Sequence, residues 1–75
     1  MELEKLINAI AEVLDIDPST ITAESRFVED LGADSLDFLQ IVVSIEDEFG
    51  IKVPMEDVKD ISTVKDAFEE IKKAL

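Results

Sequence analysis

The residue in this sequence most open to chemistry is Ser35, which follows Gly32-Ala33-Asp34 and opens an apolar helical pattern. Asp34 is a favourable N-cap residue, and Asp37 places a second carboxylate in the first turn. A helix N-terminus presents unpaired backbone N–H groups and a positive dipole end, which together favour a phosphate ester. A serine in a cap is also commonplace. From these residues alone, Ser35 is either part of a cap or a phosphoserine-type site.

The composition argues against catalysis by the chain itself. Its 75 residues include no cysteine, histidine or tyrosine, which removes disulfides, thiolate metal sites and the usual general base near neutral pH. The many carboxylates could supply acid–base pairs, but so short a chain has little room for a deep pocket. We therefore expect a protein that is not an enzyme and whose reactive group comes from elsewhere.

The charge balance is strongly acidic, with 19 acidic and 7 basic residues and a net charge of −12. A phosphate backbone would be repelled, so we expect no nucleic-acid partner. No basic residue lies between Arg26 and Lys52, yet that stretch holds Glu29, Asp30, Asp34, Asp37, Glu46, Asp47 and Glu48. Such a patch either steers the protein toward basic partner surfaces or simply keeps it solvated.

Acidic loops between helices also resemble calcium-binding EF-hands. No stretch of the sequence matches the EF-hand pattern of spaced aspartates, a glycine and a glutamate twelve positions in. We therefore expect no dedicated metal site, while weak divalent-ion binding at residues 46–48 stays open.

Apolar spacing predicts two of the main helices. The first contains residues spaced by three and four positions: Leu3, Leu6, Ile7, Ile10, Val13 and Leu14. It should end between Asp15 and Asp17, because Pro18 excludes helical geometry from the residue before it. The second should run from Ser35 to Phe49, with Gly50 as its C′ residue.

The remaining segments are less regular. Residues 16–34 show no sustained period, and we expect Ile21, Phe27 and Leu31 to anchor this long loop to the core. An extended segment at 51–54 and a short helical turn at 56–60 should follow. Thr63 should cap a last helix, with Lys72 and Lys73 near its C-terminus and an apolar face of Val64, Ala67, Phe68, Ile71 and Leu75.

These elements predict an all-α fold, a small four-helix bundle of three main helices and one short helix with a long loop between the first and second helices. The length of the chain predicts a single domain spanning residues 1–75.

Within the second helix, one arc should face the core: Phe38, Ile41, Val42, Ile45 and Phe49. Leu36 and Val43 fall nearly opposite that arc, beside Asp47. They are either scattered surface hydrophobes or a docking contact surrounded by steering acids.

The segment Asp34-Ser35-Leu36-Asp37, preceded by Phe27-Val28-Glu29-Asp30-Leu31-Gly32-Ala33, closely resembles the prosthetic-group site of acyl carrier proteins. The resemblance covers the whole chain. Residues 46–54 resemble the end of the family's second helix and the loop after it, and residues 61–64 resemble the start of its final helix.

This resemblance implies that Ser35 receives 4′-phosphopantetheine from coenzyme A through a dedicated phosphopantetheinyl transferase. The thiol of that arm carries acyl groups as thioesters and presents them to the enzymes of fatty acid biosynthesis, whose docking surfaces are basic. It also implies partner recognition by residues of the second helix and its cap, namely Asp34, Leu36, Asp37, Val43 and Asp47.

Three positions depart from the family's commonest pattern. Gln40 stands where many members carry glutamate, Val43 where methionine is frequent, and Phe38 where a smaller residue such as threonine is usual. Fatty acid synthesis is favoured. A specialised carrier for polyketide or other acyl or aminoacyl transfer is the alternative, as is an acidic interaction module that is never modified. A peptidyl carrier is disfavoured, because Ala33-Asp34 precede the serine instead of glycine and histidine.

No targeting signal is visible in the sequence. The acidic N-terminal segment is unlike a signal peptide, and no apolar run approaches membrane-spanning length. We expect a cytoplasmic protein without a membrane span. The starting Met1 and the short chain favour a free-standing carrier, which we expect to be a monomer.

Overall fold

A computed structural model describes residues 2–75, so Met1 of the predicted domain lies outside the described residues. In this range the chain forms α1 (Glu2–Leu14), α2 (Ser35–Phe49), α3 (Met55–Val58) and α4 (Val64–Ala74). A single 3₁₀ turn, which the sequence did not predict, lies at Pro18–Thr20. The all-α architecture of three main helices, one short helix and a long first loop is confirmed.

Helix α1 ends at Leu14, before Pro18 but one residue earlier than the predicted range of Asp15 to Asp17. The residue after it, Asp15, has a strained backbone conformation. Asp15 follows the helix with a φ of 56°, in the left-handed region. The N–H of the next residue, Ile16, donates to the carbonyl of Ala11 at 3.1 Å, which closes the last turn. The chain is thereby turned away from the helix axis and into the long loop.

Helix α2 has the predicted bounds because both of its ends carry strong local signals. Asp34 caps the N-terminus, and Gly50 ends the helix with a φ of 64°. The N–H of Ile51 donates to the carbonyl of Glu46 at 3.1 Å, completing the C-terminal turn. A glycine suits this turn, since left-handed backbone costs other residues free energy.

Helix α3 begins one residue earlier than predicted and is shorter. It spans Met55–Val58 instead of residues 56–60, and Lys59 and Asp60 form a turn after it. The carbonyl of Pro54 accepts from the N–H groups of both Asp57 and Val58. The helix therefore starts directly after the proline, whose fixed φ already suits a helical start.

Helix α4 is capped by Thr63 as predicted, but the prediction for Leu75 is wrong. Thr63 and Asp66 form a reciprocal capping box, and Val64, Ala67 and Ile71 are buried. Leu75 lies beyond the helix end at Ala74 and is 69% exposed. Helical spacing predicted that Leu75 would face the core. The last buried residue of α4 is Ile71, so Leu75 lies beyond the core.

The long first loop is fixed to α4 by backbone hydrogen bonds. The N–H of Phe27 donates to the carbonyl of Ser62, and the N–H of Val64 donates to the carbonyl of Ser25. Arg26 and Thr63 form an isolated β-bridge between the two segments. The predicted anchors Ile21 and Phe27 are buried, and Leu31 packs against the core. These contacts hold the loop in a defined conformation, which fixes the position of the start of α2.

The core joins residues from the three main helices and the loop. Its largest fully buried side chains are Phe27, Leu6, Ile10, Ile41, Ile71 and Val64. The predicted inward arc of α2 is confirmed, with Ile41, Val42 and Ile45 buried and Phe38 and Phe49 half-buried against the core. In residues 2–75, none of the helices has the length and apolar character needed to cross a membrane.

Candidate functional site

Ser35 is the first residue of α2, and its side chain is exposed. At this position the backbone N–H groups of Ser35 and Leu36 precede the first intrahelical hydrogen bond, which the N–H of Phe38 donates to the carbonyl of Asp34. A phosphate ester on Ser35 would therefore lie at the positive end of a helix of 15 residues. Exposure also leaves the hydroxyl open to a modifying enzyme.

The two carboxylates that flank Ser35 serve the helix. An oxygen of Asp34 accepts from the N–H of Asp37 at 2.8 Å, and an oxygen of Asp37 accepts from the N–H of Asp34 at 3.3 Å. This reciprocal capping box was not predicted, although both residues were placed at the helix start. Each carboxylate therefore accepts a backbone N–H at the helix start, beside the serine.

The turn that leads to Ser35 is stabilised by Arg26. Its guanidinium donates to Asp30 at 3.1 Å, and its backbone N–H donates to the same carboxylate at 2.8 Å. These hydrogen bonds from Arg26 lower the pKa of Asp30. The N–H of Ala33 then donates to the carbonyl of Phe27 at 2.9 Å, and Ala33 is buried. The chain therefore approaches α2 along a hydrogen-bonded turn.

A recess opens beside Ser35, with a volume of about 190 Å³. We call it the Ser35 recess; Ser35 lines it together with Phe27, Val28, Phe38, Ile61 and three polar residues, Glu29, Asp34 and Ser62. The rings of Phe27 and Phe38 pack edge to face, with centroids 5.3 Å apart. Its walls are thus mainly apolar, although its rim carries two carboxylates.

The recess was not predicted from the sequence. Phe27 was placed as a loop anchor and Phe38 in the core arc, while Val28 and Ile61 appeared only inside family-like segments. Val28 is 64% exposed. It lies in a loop without periodicity, so no helical or strand pattern could have assigned its side chain to a surface.

The predicted outer face of α2 carries exposed apolar side chains. Leu36 is 65% exposed and Val43 is 52% exposed, as expected from their position opposite the core arc. Leu39 is also 47% exposed, which the sequence analysis missed. Leu39 lies three residues after Leu36 and four before Val43, and this helical spacing could have placed it on the same face. Asp47 is exposed one turn beyond Val43.

Among residues 2–75, no three histidine, cysteine, aspartate or glutamate side chains form a group that could hold a metal ion. Glu46, in the acidic run of α2, instead accepts a hydrogen bond from the N–H of Val53 at 2.8 Å. This contact connects the end of α2 to the segment before α3.

Comparison with known proteins decides the family. The family model of the phosphopantetheine attachment site matches residues 4–71. A solved structure of a Mycobacterium tuberculosis protein, assigned as an acyl carrier protein, superposes with a TM-score of 0.85 at 39% sequence identity. The match covers 95% of this chain and 96% of that one. The chain belongs to the acyl carrier protein family.

An acyl carrier protein is a carrier and not an enzyme, and it holds 4′-phosphopantetheine covalently. Its family also implies interaction with a phosphopantetheinyl transferase and with acyl-processing enzymes. The residues at the start of α2 fit such a group, because they combine an exposed hydroxyl, free helix N–H groups and an adjoining apolar recess.

Proposed function

We propose that Ser35 is the attachment residue, and that this carrier serves fatty acid biosynthesis. In the attachment reaction, the Ser35 hydroxyl oxygen bonds to the phosphorus that bears the pantetheine of coenzyme A. The bond from that phosphorus to the adenosine bisphosphate breaks, and the hydroxyl proton passes to a base of the transferase. The products are a phosphodiester on Ser35 and adenosine 3′,5′-bisphosphate.

The observation that carries this proposal is the position of Ser35 as an exposed first residue of a capped helix. Ser44 lies within α2, Ser19 lies within the 3₁₀ turn and Ser25 is buried. The hydroxyl of Ser62 donates to Asp66 at 3.0 Å in the cap of α4. Ser62 also lines the Ser35 recess, but it lies before the N-cap residue Thr63 and is not a residue of the helix. Ser35 is the one serine of the five that is an exposed first residue of a helix.

The thiol at the end of the arm would supply thioester chemistry that a chain without cysteine lacks. The protein's own residues hold and present that arm. Asp34 and Asp37 stabilise the start of α2, so the backbone that carries Ser35 has a defined conformation where a partner meets it. Phe27 ties the preceding loop into the core, because it is 1% exposed.

Partner recognition is assigned to the outer face of α2. Leu36 and Val43 supply an apolar contact, and Asp47 supplies charge toward basic docking surfaces. Asp34 and Asp37 flank Ser35 and Leu36 at the start of α2, and their capping bonds give them a structural role as well. A substitution at Asp47 therefore tests recognition more cleanly than one at either capping residue.

Fatty acid biosynthesis is the pathway we favour, with polyketide or other acyl transfer as the alternative. Two features support fatty acid biosynthesis. The segment around Ser35 resembles the prosthetic-group site of acyl carrier proteins, and α2 has an acidic face. We further propose that residues 1–75 act as one carrier domain, monomeric and cytoplasmic. Comparing the rates at which condensing enzymes of the two pathways elongate the loaded protein would separate the alternatives.

Incubation with coenzyme A and a phosphopantetheinyl transferase, followed by intact mass measurement, tests the attachment residue. The unaltered protein should gain the mass of one phosphopantetheine, and Ser35→Ala should gain none while remaining folded. Ser19→Ala is the matched control, since it removes another exposed hydroxyl. Full mass gain by Ser35→Ala would show that another serine is modified.

A further inference from the structure

We propose that Lys52 is a specificity-determining residue that binds a carboxylate of the partner enzyme. Lys52 lies in a second recess, at the C-terminal end of α2, with a volume of about 440 Å³. We call it the α2-end recess; it is lined by Val43, Glu46, Asp47, Gly50, Ile51 and Lys52. The inference rests on the proposed recognition face of α2, because Val43 and Asp47 belong to both. It goes further by requiring an acidic residue on an otherwise basic enzyme surface.

The ammonium group of Lys52 is exposed and unpaired. Among residues 2–75 it forms no ion pair and no hydrogen bond. Four other basic residues each pair with an aspartate or a glutamate, namely Lys5, Arg26, Lys72 and Lys73. An incoming carboxylate can therefore bind Lys52 without first breaking an ion pair inside the protein.

The two carboxylates of the α2-end recess differ in their availability. Glu46 is half-buried, and one of its oxygens accepts the N–H of Val53 at 2.8 Å. Asp47 is exposed, and its side chain forms neither an ion pair nor a hydrogen bond within residues 2–75. The recess thus presents one unpaired anion and one unpaired cation, beside the apolar surface of Val43 and Ile51.

This combination of charges selects the chemistry of the occupant. A surface with basic residues alone would be attracted by Asp47 but repelled by Lys52. A partner segment that carries a basic residue for Asp47, an acidic residue for Lys52 and an apolar side chain for Val43 would match the whole recess. Enzymes that lack the acidic residue would be disfavoured, because Lys52 would face another cation.

The α2-end recess lies at the opposite end of α2 from Ser35. A helix of 15 residues is about 22 Å long. A carboxylate bound to Lys52 is therefore too far from Ser35 to contact the attachment oxygen. Its effect is on which enzyme docks and how that enzyme is aligned along α2.

Substitution of Lys52 tests the proposal, because general attraction predicts the opposite sign. Lys52→Glu makes the protein more acidic, so general attraction to a basic enzyme would strengthen binding at low salt. With a partner carboxylate opposite Lys52, the same variant should bind about tenfold or more weakly, since two like charges meet. Lys52→Gln should show a smaller loss. The matched control is Lys65→Glu, an exposed lysine of α4 outside the recess, which should bind no more weakly than the unaltered protein.

Dissociation constants are measured with two enzymes after thermal unfolding has confirmed that each variant is folded. The unloaded protein is used with a phosphopantetheinyl transferase, and the loaded protein with a condensing enzyme of fatty acid biosynthesis. Lys52→Glu should weaken binding to at least one of them. Coupling by a carbodiimide, which joins an amine to a contacting carboxylate, should then link Lys52 to an acidic residue of that enzyme. Mass spectrometry of the digested complex identifies the linked pair.

Equal or tighter binding of Lys52→Glu to both enzymes would overturn the proposal. Coupled complexes in which Lys52 is never linked to the enzyme would overturn it as well. In either case, weaker binding of Leu36→Gln would leave the recognition face of α2 standing. Normal binding of both Leu36→Gln and Asp47→Asn would overturn that face, and the role of Lys52 with it.

Discussion

At the residue scale, apolar side chains of α2 divide between two environments that the helix keeps apart. Ile45 is 4% exposed in the core, whereas Leu36 is 65% exposed on the outer face. Burial gives Ile45 a stabilising role, because its methyl groups are removed from water and contact other core residues. Leu36 contributes little to the fold, which leaves its apolar surface available to a partner.

Leu36→Gln and Ile45→Ala should therefore have opposite effects. Leu36→Gln should change the free energy of unfolding by no more than about 0.5 kcal/mol. It should slow loading by the transferase about tenfold or more, the equivalent of 1.4 kcal/mol. Ile45→Ala should destabilise the bundle by roughly 2–5 kcal/mol by opening a cavity, and the milder Ile45→Val by about 1 kcal/mol.

Denaturant unfolding and single-turnover loading rates on each variant provide the measurements. Loss of structure in Leu36→Gln with an unaffected Ile45→Ala would mean that α2 is rotated relative to the assigned faces. The outer face would then contain different recognition residues.

Asp66 connects the stability of α4 to pH. One of its oxygens accepts from the N–H of Ser62 at 3.0 Å and from the N–H of Thr63 at 3.1 Å. The Ser62 N–H is the main cause of the lowered pKa of Asp66. A lowered pKa in the folded state means that the stabilisation is present above the unfolded value, about 3.9, and is lost as the pH falls through the folded value.

Asp66→Asn should therefore be less stable than the unaltered protein at pH 7, and the difference should shrink below about pH 4. Taking the difference between the two proteins at each pH removes most of the contribution from other carboxylates. Urea unfolding across this range supplies the values. A difference that stays constant from pH 7 to pH 3 would contradict a role for the charged carboxylate.

At the level of the helices, single residues at the helix ends determine where each helix begins and ends, and so where Ser35 lies. Asp34 and Gly50 define the two ends of α2, and Thr63 defines the start of α4. Asp15 is a weaker signal at the end of α1, because an aspartate there takes a left-handed φ of 56°. Its negative charge also lies near the negative end of the helix dipole.

Asp15→Gly should consequently stabilise the protein, by about 1 kcal/mol, since glycine takes the left-handed conformation without steric cost. Gly50→Ala should destabilise it by a similar amount, about 1 kcal/mol. Among residues 2–75, no atom apart from those of Gly50 and its two chain neighbours lies within 4 Å of an added Cβ, so backbone conformation accounts for the loss. Thermal and denaturant unfolding measure both changes, and a stabilising Gly50→Ala would refute this account of the helix ends.

At the scale of the whole molecule, charge is distributed unevenly around the bundle. Helix α2 carries Asp37, Glu46, Asp47 and Glu48 but no basic residue, whereas α4 carries Lys65, Lys72 and Lys73 among its acids. Lys5 of α1 lies 3.9 Å from Glu48, with both side chains about half exposed. The remaining charge on α2 produces a field that orients approaching basic surfaces.

Asp47→Asn should lower the association rate with the transferase at low salt and flatten its salt dependence. The matched control is Glu12→Gln, an exposed substitution on α1 with the same change in net charge. Stopped-flow association from low salt to about 1 M, where the Debye length is about 3 Å, should show the two variants converging. Equal slowing by both variants at low salt would mean that net charge matters and the α2 face does not.

Features that depend on neighbours within about one helical turn could be predicted from the amino-acid sequence. The bounds of α2 follow from Asp34 and Gly50, and the core arc follows from helical spacing. Ser35 could be proposed as the attachment residue because its local motif and the start of α2 coincide. Local hydrogen bonding and backbone preference act on adjacent residues, so a linear pattern records them.

Contacts between residues far apart in the sequence could not be predicted in this way, because they depend on how the elements pack. Val28 and Ile61 reach the same recess because the backbone of the first loop bonds to the segment before α4 at Phe27 and Ser62. Leu75 has the spacing of a buried residue but remains exposed, because no element formed by residues 2–75 covers the chain beyond Ala74. Burial and recess formation depend on what packs opposite a side chain, and a helical period contains no record of that partner.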